Sequence, residues 1–232
     1  MNALVLIPTY NERENLPPLL KDIFSHQGVR VMIVDDDSPD GTGEVAEKLA
    51  TDWPGRVEVV HRTGPRGFGR SLLEGFARAV TGDAELVFQM DADLSHDPKY
   101  FPEMASAAER ADLVIGSRYL NGVSVVNWPL RRIMLSVFAN RYIRTVTRLS
   151  VRDCTSGYRC WRREALTRLP LNRIGSEGYS FLVEMLYLAQ RAGCRIVESP
   201  IIFVERRHGV SKMSPKVMVE SALTPWRLRL GR

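Results

Sequence analysis

The stretch Ala84-Glu85-Leu86-Val87-Phe88-Gln89-Met90-Asp91-Ala92-Asp93 decides how this chain is read. Its first seven residues form a mostly apolar run of strand length, suited to a buried pleated surface. Two carboxylates then follow, one residue apart. Held at a strand end, they offer hard oxygen ligands to a divalent cation, and Mg²⁺ commonly shares such carboxylates with substrate phosphates. Asp-x-Asp is also ordinary turn and helix-capping chemistry. Its meaning therefore depends on what surrounds it.

Working outward, strands alternate with helices. Strands are expected at Ala3–Ile7, Arg30–Val34, Arg56–Val60, Ala84–Met90 and Asp112–Gly116. Helices are expected at about Glu12–His26, Thr42–Thr51, Gly67–Thr81 and from Pro98. This alternation predicts an α/β domain: a mostly parallel sheet flanked by helices on both faces, with a more irregular C-terminal third. Ligands of such sheets bind at the carboxyl ends of the strands. Three polar clusters fall there: Pro8-Thr9-Tyr10-Asn11-Glu12, Asp35-Asp36-Asp37-Ser38-Pro39-Asp40-Gly41-Thr42 and Asp91-Ala92-Asp93. Turn chemistry explains any one of them. It explains less well why all three share one edge.

The balance of 44% hydrophobic and 25% charged residues over 232 positions suits a globular core, and no apolar run is long enough to span a bilayer. The N-terminus lacks the cationic region of a signal peptide. Three cysteines with no Cys-x-x-Cys spacing argue against a disulfide framework or structural zinc and fit a reducing cytoplasm. The net charge of +5 is unevenly placed. From Leu113 to Arg152 there is no Asp or Glu, while Arg118, Arg131, Arg132, Arg141, Arg144, Arg148 and Arg152 all occur. Forty residues without an acid point to an anionic partner: phosphates, nucleic acid or an anionic lipid surface.

The three edge clusters resemble the inverting family 2 glycosyltransferases of the GT-A (Rossmann-like) fold. Gly116-Ser117-Arg118-Tyr119, Asp153-Cys154-Thr155-Ser156-Gly157-Tyr158-Arg159, and Phe203-Val204-Glu205-Arg206 with Gly209-Val210-Ser211-Lys212 resemble the dolichol-phosphate mannosyltransferase (polyprenol-monophosphate mannose synthase) subfamily. The likeness runs from Ala3 to Lys212. It implies transfer of mannose from GDP-mannose to a polyprenyl monophosphate. It also implies Mg²⁺ or Mn²⁺ at Asp91 and Asp93, and a nucleotide held by Pro8, Tyr10, Glu12, Asp36, Arg66 and Asp91-Ala92-Asp93. The acceptor phosphate would be held by Arg118, Arg132, Ser136, Arg206, Ser211 and Lys212. Asp91, Asp93, Arg118 and Arg206 would form the catalytic set. A UDP-glucose enzyme of the same fold is the near alternative. A non-catalytic basic module binding membrane or nucleic acid is the distant one, and no nucleic acid partner is expected.

Two segments remain. Gly64-Pro65-Arg66-Gly67-Phe68-Gly69 reads equally as a phosphate cradle at a helix start or as a tight turn. Around Trp128–Phe138, Ile133 with Val137 and Met134 with Phe138 stand at helical spacing among arginines. A helix beginning at Ser214-Pro215 is expected to form an amphipathic tail over residues 213–232, after a single domain over 1–212. Such segments suit a membrane interface. The expected setting is the cytoplasmic face of a membrane, by surface attachment or with a membrane partner subunit.

Overall fold

The computed structural model describes residues 1–205 and 215–231. Strands run over Ala3–Thr9 (β1), Val29–Asp35 (β2), Val57–His61 (β3), Leu86–Gln89 (β4), Leu113–Ser117 (β5), Val125–Val126 (β6), Arg159–Arg162 (β7), Ile196–Pro200 (β8) and Phe203–Val204 (β9). Helices run over Leu16–Ile23 (α1), Thr42–Asp52 (α2), Phe68–Thr81 (α3), Phe101–Ala108 (α4), Leu130–Thr147 (α5), Arg163–Thr167 (α6), Gly178–Arg191 (α7) and Pro215–Leu230 (α8). The main sheet has the order β3-β2-β1-β4-β7-β5-β8, and β6 pairs with β9 beside it. All main-sheet pairs are parallel except those of β7, which lies antiparallel between β4 and β5.

The expected α/β architecture is present. Its first helix is shorter than expected, because Pro17 and Pro18 fit only a first turn and place the start at Leu16. Pro8 is tolerated inside β1 because it lies beyond the segment that pairs with β4. The C-terminal third is more regular than its sequence suggests. It supplies β7, β8 and the long α7, which buries Phe181, Leu182, Met185 and Leu186.

Apolar side chains alternate across the strands and build a core on each face. Leu4, Leu6, Leu72, Phe76, Trp161, Phe181 and Leu186 pack on the α3/α7 side. Ile7, Leu16, Leu19, Phe88, Phe101, Met104 and Tyr158 pack on the α1/α4 side. A sheet covered on both faces leaves only its strand ends open to ligands. One such edge collects the residues after β1, β2, β4 and β5, together with the residues that precede the reversed β7.

Candidate active site

The nucleotide-side residues converge after β1, β2 and β3. Asp36 is buried and already engaged: Arg62 donates from Nη1 to its Oδ1, and the Gly67 amide donates to its Oδ2 at 2.7 Å. Capping before Thr42 falls instead to Asp40, which accepts from the Thr42 amide at 3.0 Å and is held below its ordinary acidity range. Burial opposes that shift, and the bonds from Thr42 and Arg13 outweigh it. Thr42 in turn accepts from the Glu12 amide at 2.9 Å, tying the β1 loop to α2. Arg66 donates to Tyr10 Oη at 3.0 Å and to Asp37 Oδ2 at 2.9 Å. Pro8, Tyr10, Glu12, Asp36 and Arg66 therefore line one corner.

The glycine-rich turn is filled by the chain itself. Glu177 accepts from the Gly69 amide at 3.0 Å and from Arg70 Nε at 2.9 Å, placing a carboxylate at the start of α3. A Cβ on Gly67 would lie 2.6 Å from both Glu177 carboxylate oxygens. Close packing of α7 onto α3 accounts for this glycine, and internal carboxylates use the amides that a phosphate cradle would need.

Asp91 and Asp93 follow β4. Extending the β4–β7 register past Gln89 and Arg159 sets Asp91 opposite Gly157. A Cβ on Gly157 would sit 3.4 and 3.5 Å from the two Asp91 oxygens, so a side chain there would lie directly against that carboxylate. His96 is buried, and its Nδ1 accepts from the Asp91 amide at 3.0 Å. Burial brings this imidazole down to about 4, so it is neutral at physiological pH and its ring proton sits on Nε2. Asp93 accepts from the Ser95 amide at 3.1 Å. Among the described residues no group of three or more His, Cys, Asp or Glu converges. Two carboxylates fit Mg²⁺ or Mn²⁺, hard cations that complete their shells with phosphate oxygens and water.

On the acceptor side Arg118 follows β5 and is buried against Asp153. It donates from Nε and Nη2 to the carboxylate, each at 2.7 Å, and from its amide at 3.0 Å; Nη2 also donates to Thr155 at 2.8 Å. Burial opposes both charges, and each outweighs that for the other: Arg118 is raised and Asp153 lowered. The sequence expectation gave Arg118 a free fork for phosphate. Here the fork is closed on Asp153, because a guanidinium this buried requires a fixed counterion. Arg132 lies over Trp128, 4.0 Å from the ring centroid, and pairs with Glu205, which accepts from its Nη1. This pair is partly exposed, so an incoming anion can exchange for the carboxylate. Ser136 accepts from Tyr119 Oη at 2.7 Å. Arg206, Ser211 and Lys212 lie outside the described residues.

A run of rings joins the two sides. His96 packs edge-on to Phe203, with centroids 5.7 Å apart, and Phe203 packs edge-on to Trp128 at 5.5 Å. Arg118 lies 5.6 Å from both the Phe203 and Trp128 centroids. Asp91, Arg118 and Arg132 thus belong to one continuous wall. The short span from Asp153 to Gly157 serves both ends of it. The sequence reading assigned no site role to His96, Trp128, Phe203, Asp153 or Glu177. Asp153 and Phe203 stood in quoted motifs and Trp128 opened the segment read as a membrane interface, while nothing in the spacing marks His96 or Glu177.

Residues 4–169 match glycosyl transferase family 2. The polyprenol monophosphomannose synthase of Mycolicibacterium smegmatis is 45% identical over 214 residues, covering 91% of this chain and 81% of that protein. The undecaprenyl-phosphate mannosyltransferase of Micrococcus luteus is 42% identical, covering 98% and 95%. The dolichol-phosphate mannosyltransferase of Pyrococcus furiosus is 37% identical; the match covers 95% of this chain and 61% of that longer protein. Among solved structures, glucosyl-3-phosphoglycerate synthase from Mycobacterium tuberculosis, in complex with Mn²⁺, UDP and glucosyl-3-phosphoglycerate, superposes with a TM-score of 0.70. It is 19% identical and covers 99% of this chain and 80% of that one, a likeness of fold. With the family match spanning most of its length, and the acidic edge and its glycine partner in place, this chain belongs to glycosyl transferase family 2 and is a glycosyltransferase.

Proposed function

We propose that the chain transfers mannose from GDP-mannose to a polyprenyl monophosphate at the cytoplasmic face of a membrane. The observation that carries this is the shared span Asp153–Gly157. One end holds the Arg118 charge, and the other lies against Asp91. The relatives, a polyprenol monophosphomannose synthase and mannosyltransferases acting on undecaprenyl and dolichol phosphates by name, supply the sugar and the lipid class.

A phosphate monoester has a second pKa of about 6, so it is largely dianionic at neutral pH and needs no carboxylate base. The difficulty is bringing two anions together. Arg132, after exchanging Glu205 for phosphate, and Arg206, Ser211 and Lys212 hold the acceptor. Arg118 sets the loop beneath it. Tyr10, Glu12 and Asp36 hold the nucleoside, and Arg66 swings from Asp37 to the diphosphate. Asp91 and Asp93 would hold Mg²⁺ or Mn²⁺, which supplies Lewis-acid stabilisation of the leaving diphosphate. Fixed cations on the acceptor and fixed ligands on the donor favour in-line attack with inversion.

Membrane apposition is supported by α5. Leu130, Met134 and Phe138 stand on one stripe of it, 71, 64 and 68% exposed. No helix among the described residues is long and apolar enough to cross a membrane. We read residues 213–232 as an appended tail. Its helix α8 packs on α5 and α7, where Tyr142 Oη donates to the Ala222 carbonyl at 2.7 Å.

The test is incubation with polyprenyl phosphate, Mg²⁺ and, in separate tubes, GDP-mannose, UDP-glucose or UDP-N-acetylglucosamine, followed by mass spectrometry of the lipid. A hexosyl-lipid from GDP-mannose alone is expected. A product from UDP-glucose alone reassigns the donor, and no product from any donor overturns the reading.

A further inference from the structure

Arg159 opens β7, two residues after Gly157, and is fully buried. Among the described residues its guanidinium donates only to backbone carbonyls: Ser156 at 2.9 Å, Cys154 at 3.3 Å and Leu182 at 2.9 Å. Among the described residues Nη1 has no hydrogen-bond partner, and neither amide atom of Gln89, its buried register partner on β4, has one either. Among the described residues Arg159 makes no ion pair. Asp153, a carboxylate that acts on it, is already neutralised by Arg118. Burial brings the Arg159 guanidinium down to about 10, so it stays charged at neutral pH. A buried cation without a counterion is costly, and an apolar residue of similar volume would avoid that cost.

Its position suggests what the charge is for. Two of its hydrogen bonds hold the Cys154–Ser156 stretch, whose next residue faces Asp91. The third ties that stretch to α7. We propose that Arg159 is a positioning residue whose buried charge, acting from beneath the Asp91–Gly157 edge, favours a nucleoside diphosphate there and opposes a bare cation. This rests on the donor reading above. It explains why Nη1 and Gln89 carry no carboxylate partner: a counterion at that point would cancel the field that the substrate supplies its own charge to meet. A residue that only ties a loop to a helix would need the carbonyl bonds and not the unbalanced charge.

Two variants of the full chain separate these roles. Arg159→Met removes the charge and the ties together. Gln89→Glu keeps every bond Arg159 makes and sets a carboxylate opposite it. GDP affinity is measured by calorimetry in EDTA, and Mn²⁺ affinity by electron paramagnetic resonance without nucleotide. A unit charge at about 10 Å in an effective dielectric of about 20 shifts such affinities by about tenfold. Both variants are expected to weaken GDP and to tighten Mn²⁺ by about that factor or more, since each ligand carries more than one charge, with Arg159→Lys within about twofold of the parent. Gln89→Glu should also raise the unfolding midpoint. If Arg159→Met fails to fold, Gln89→Glu alone decides. A variant that weakens both ligands, or moves neither, overturns the proposal. Failure of the parent itself to bind GDP overturns the donor reading instead.

Discussion

Replacing Asp153 with Asn keeps the side chain's shape and removes its charge. The carboxylate now accepts three N–H groups of Arg118, at 2.7, 2.7 and 3.0 Å, and is fully buried, while the guanidinium is 7% exposed. An amide can accept on one side only, so its NH₂ would face a guanidinium N–H. What remains is a buried cation without its counterion, a loss of about 3–5 kcal/mol. Against a total stability of about 5–15 kcal/mol that is a large shift. It is read from urea unfolding at pH 7 with the slope unchanged. Adding Arg118→Met to Asp153→Asn should recover most of the loss, since the uncompensated charge goes with it. The cycle coupling should be about 2 kcal/mol or more. Acid behaviour follows from the same pair. Burial raises the Asp153 carboxyl and Arg118 outweighs it, leaving it below its ordinary 3.8. The unfolded chain therefore takes up the proton first as pH falls. The pair's contribution is full above about pH 4 and is lost on further acidification, and Asp153→Asn should flatten that limb. A cost under about 1 kcal/mol, together with a steep rise in acceptor KM, would refute the reasoning and return Arg118 to the role of a free phosphate ligand.

Three further outcomes are expected. Gly157→Ala sets a methyl group against both Asp91 oxygens and should weaken Mn²⁺ binding by about tenfold with an unfolding midpoint close to the parent's, measured by paramagnetic resonance and thermal melts. His96→Asn keeps an acceptor for the Asp91 amide where Nδ1 stands, whereas His96→Gln places its polar group nearer Nε2. Asn should retain most of kcat and Gln should lose about tenfold or more, and equal losses would discount the hydrogen bond. Phe138→Asp on the exposed stripe of α5 should leave turnover on a detergent-dispersed acceptor unchanged and reduce co-sedimentation with anionic vesicles, since burying such a ring contributes about 2 kcal/mol.

Legibility in the sequence followed the range of the interactions. The strands up to β5 announce themselves through local apolar runs, and β-α alternation implies which ends align, so Asp36, Asp91 and Asp93 could be placed on one edge. The short, mixed β7, Arg159-Cys160-Trp161-Arg162, carries no such signal. Its antiparallel insertion depends on partners more than forty residues away. The acceptor cations were visible as arginines, but their engagement was not. Whether a guanidinium faces a ligand or a carboxylate depends on tertiary pairing, as Arg118 with Asp153 and Arg66 with Asp37 show. Glu177 at the start of α3 lies 108 residues from Gly69, beyond any pattern of spacing.

The reversed strand β7 has a consequence for how this scaffold can diversify. Since Asp153 and Gly157 are four positions apart on one leader into the sheet, the donor and acceptor stations proposed above are linked by covalent chain rather than by a hinge. The outer wall, made by α5 and the segment after β8, is free to vary in shape without retuning that distance. With the lipid acceptor proposed above, different tails would be accommodated by changes on that outer side while the reacting centres keep their separation.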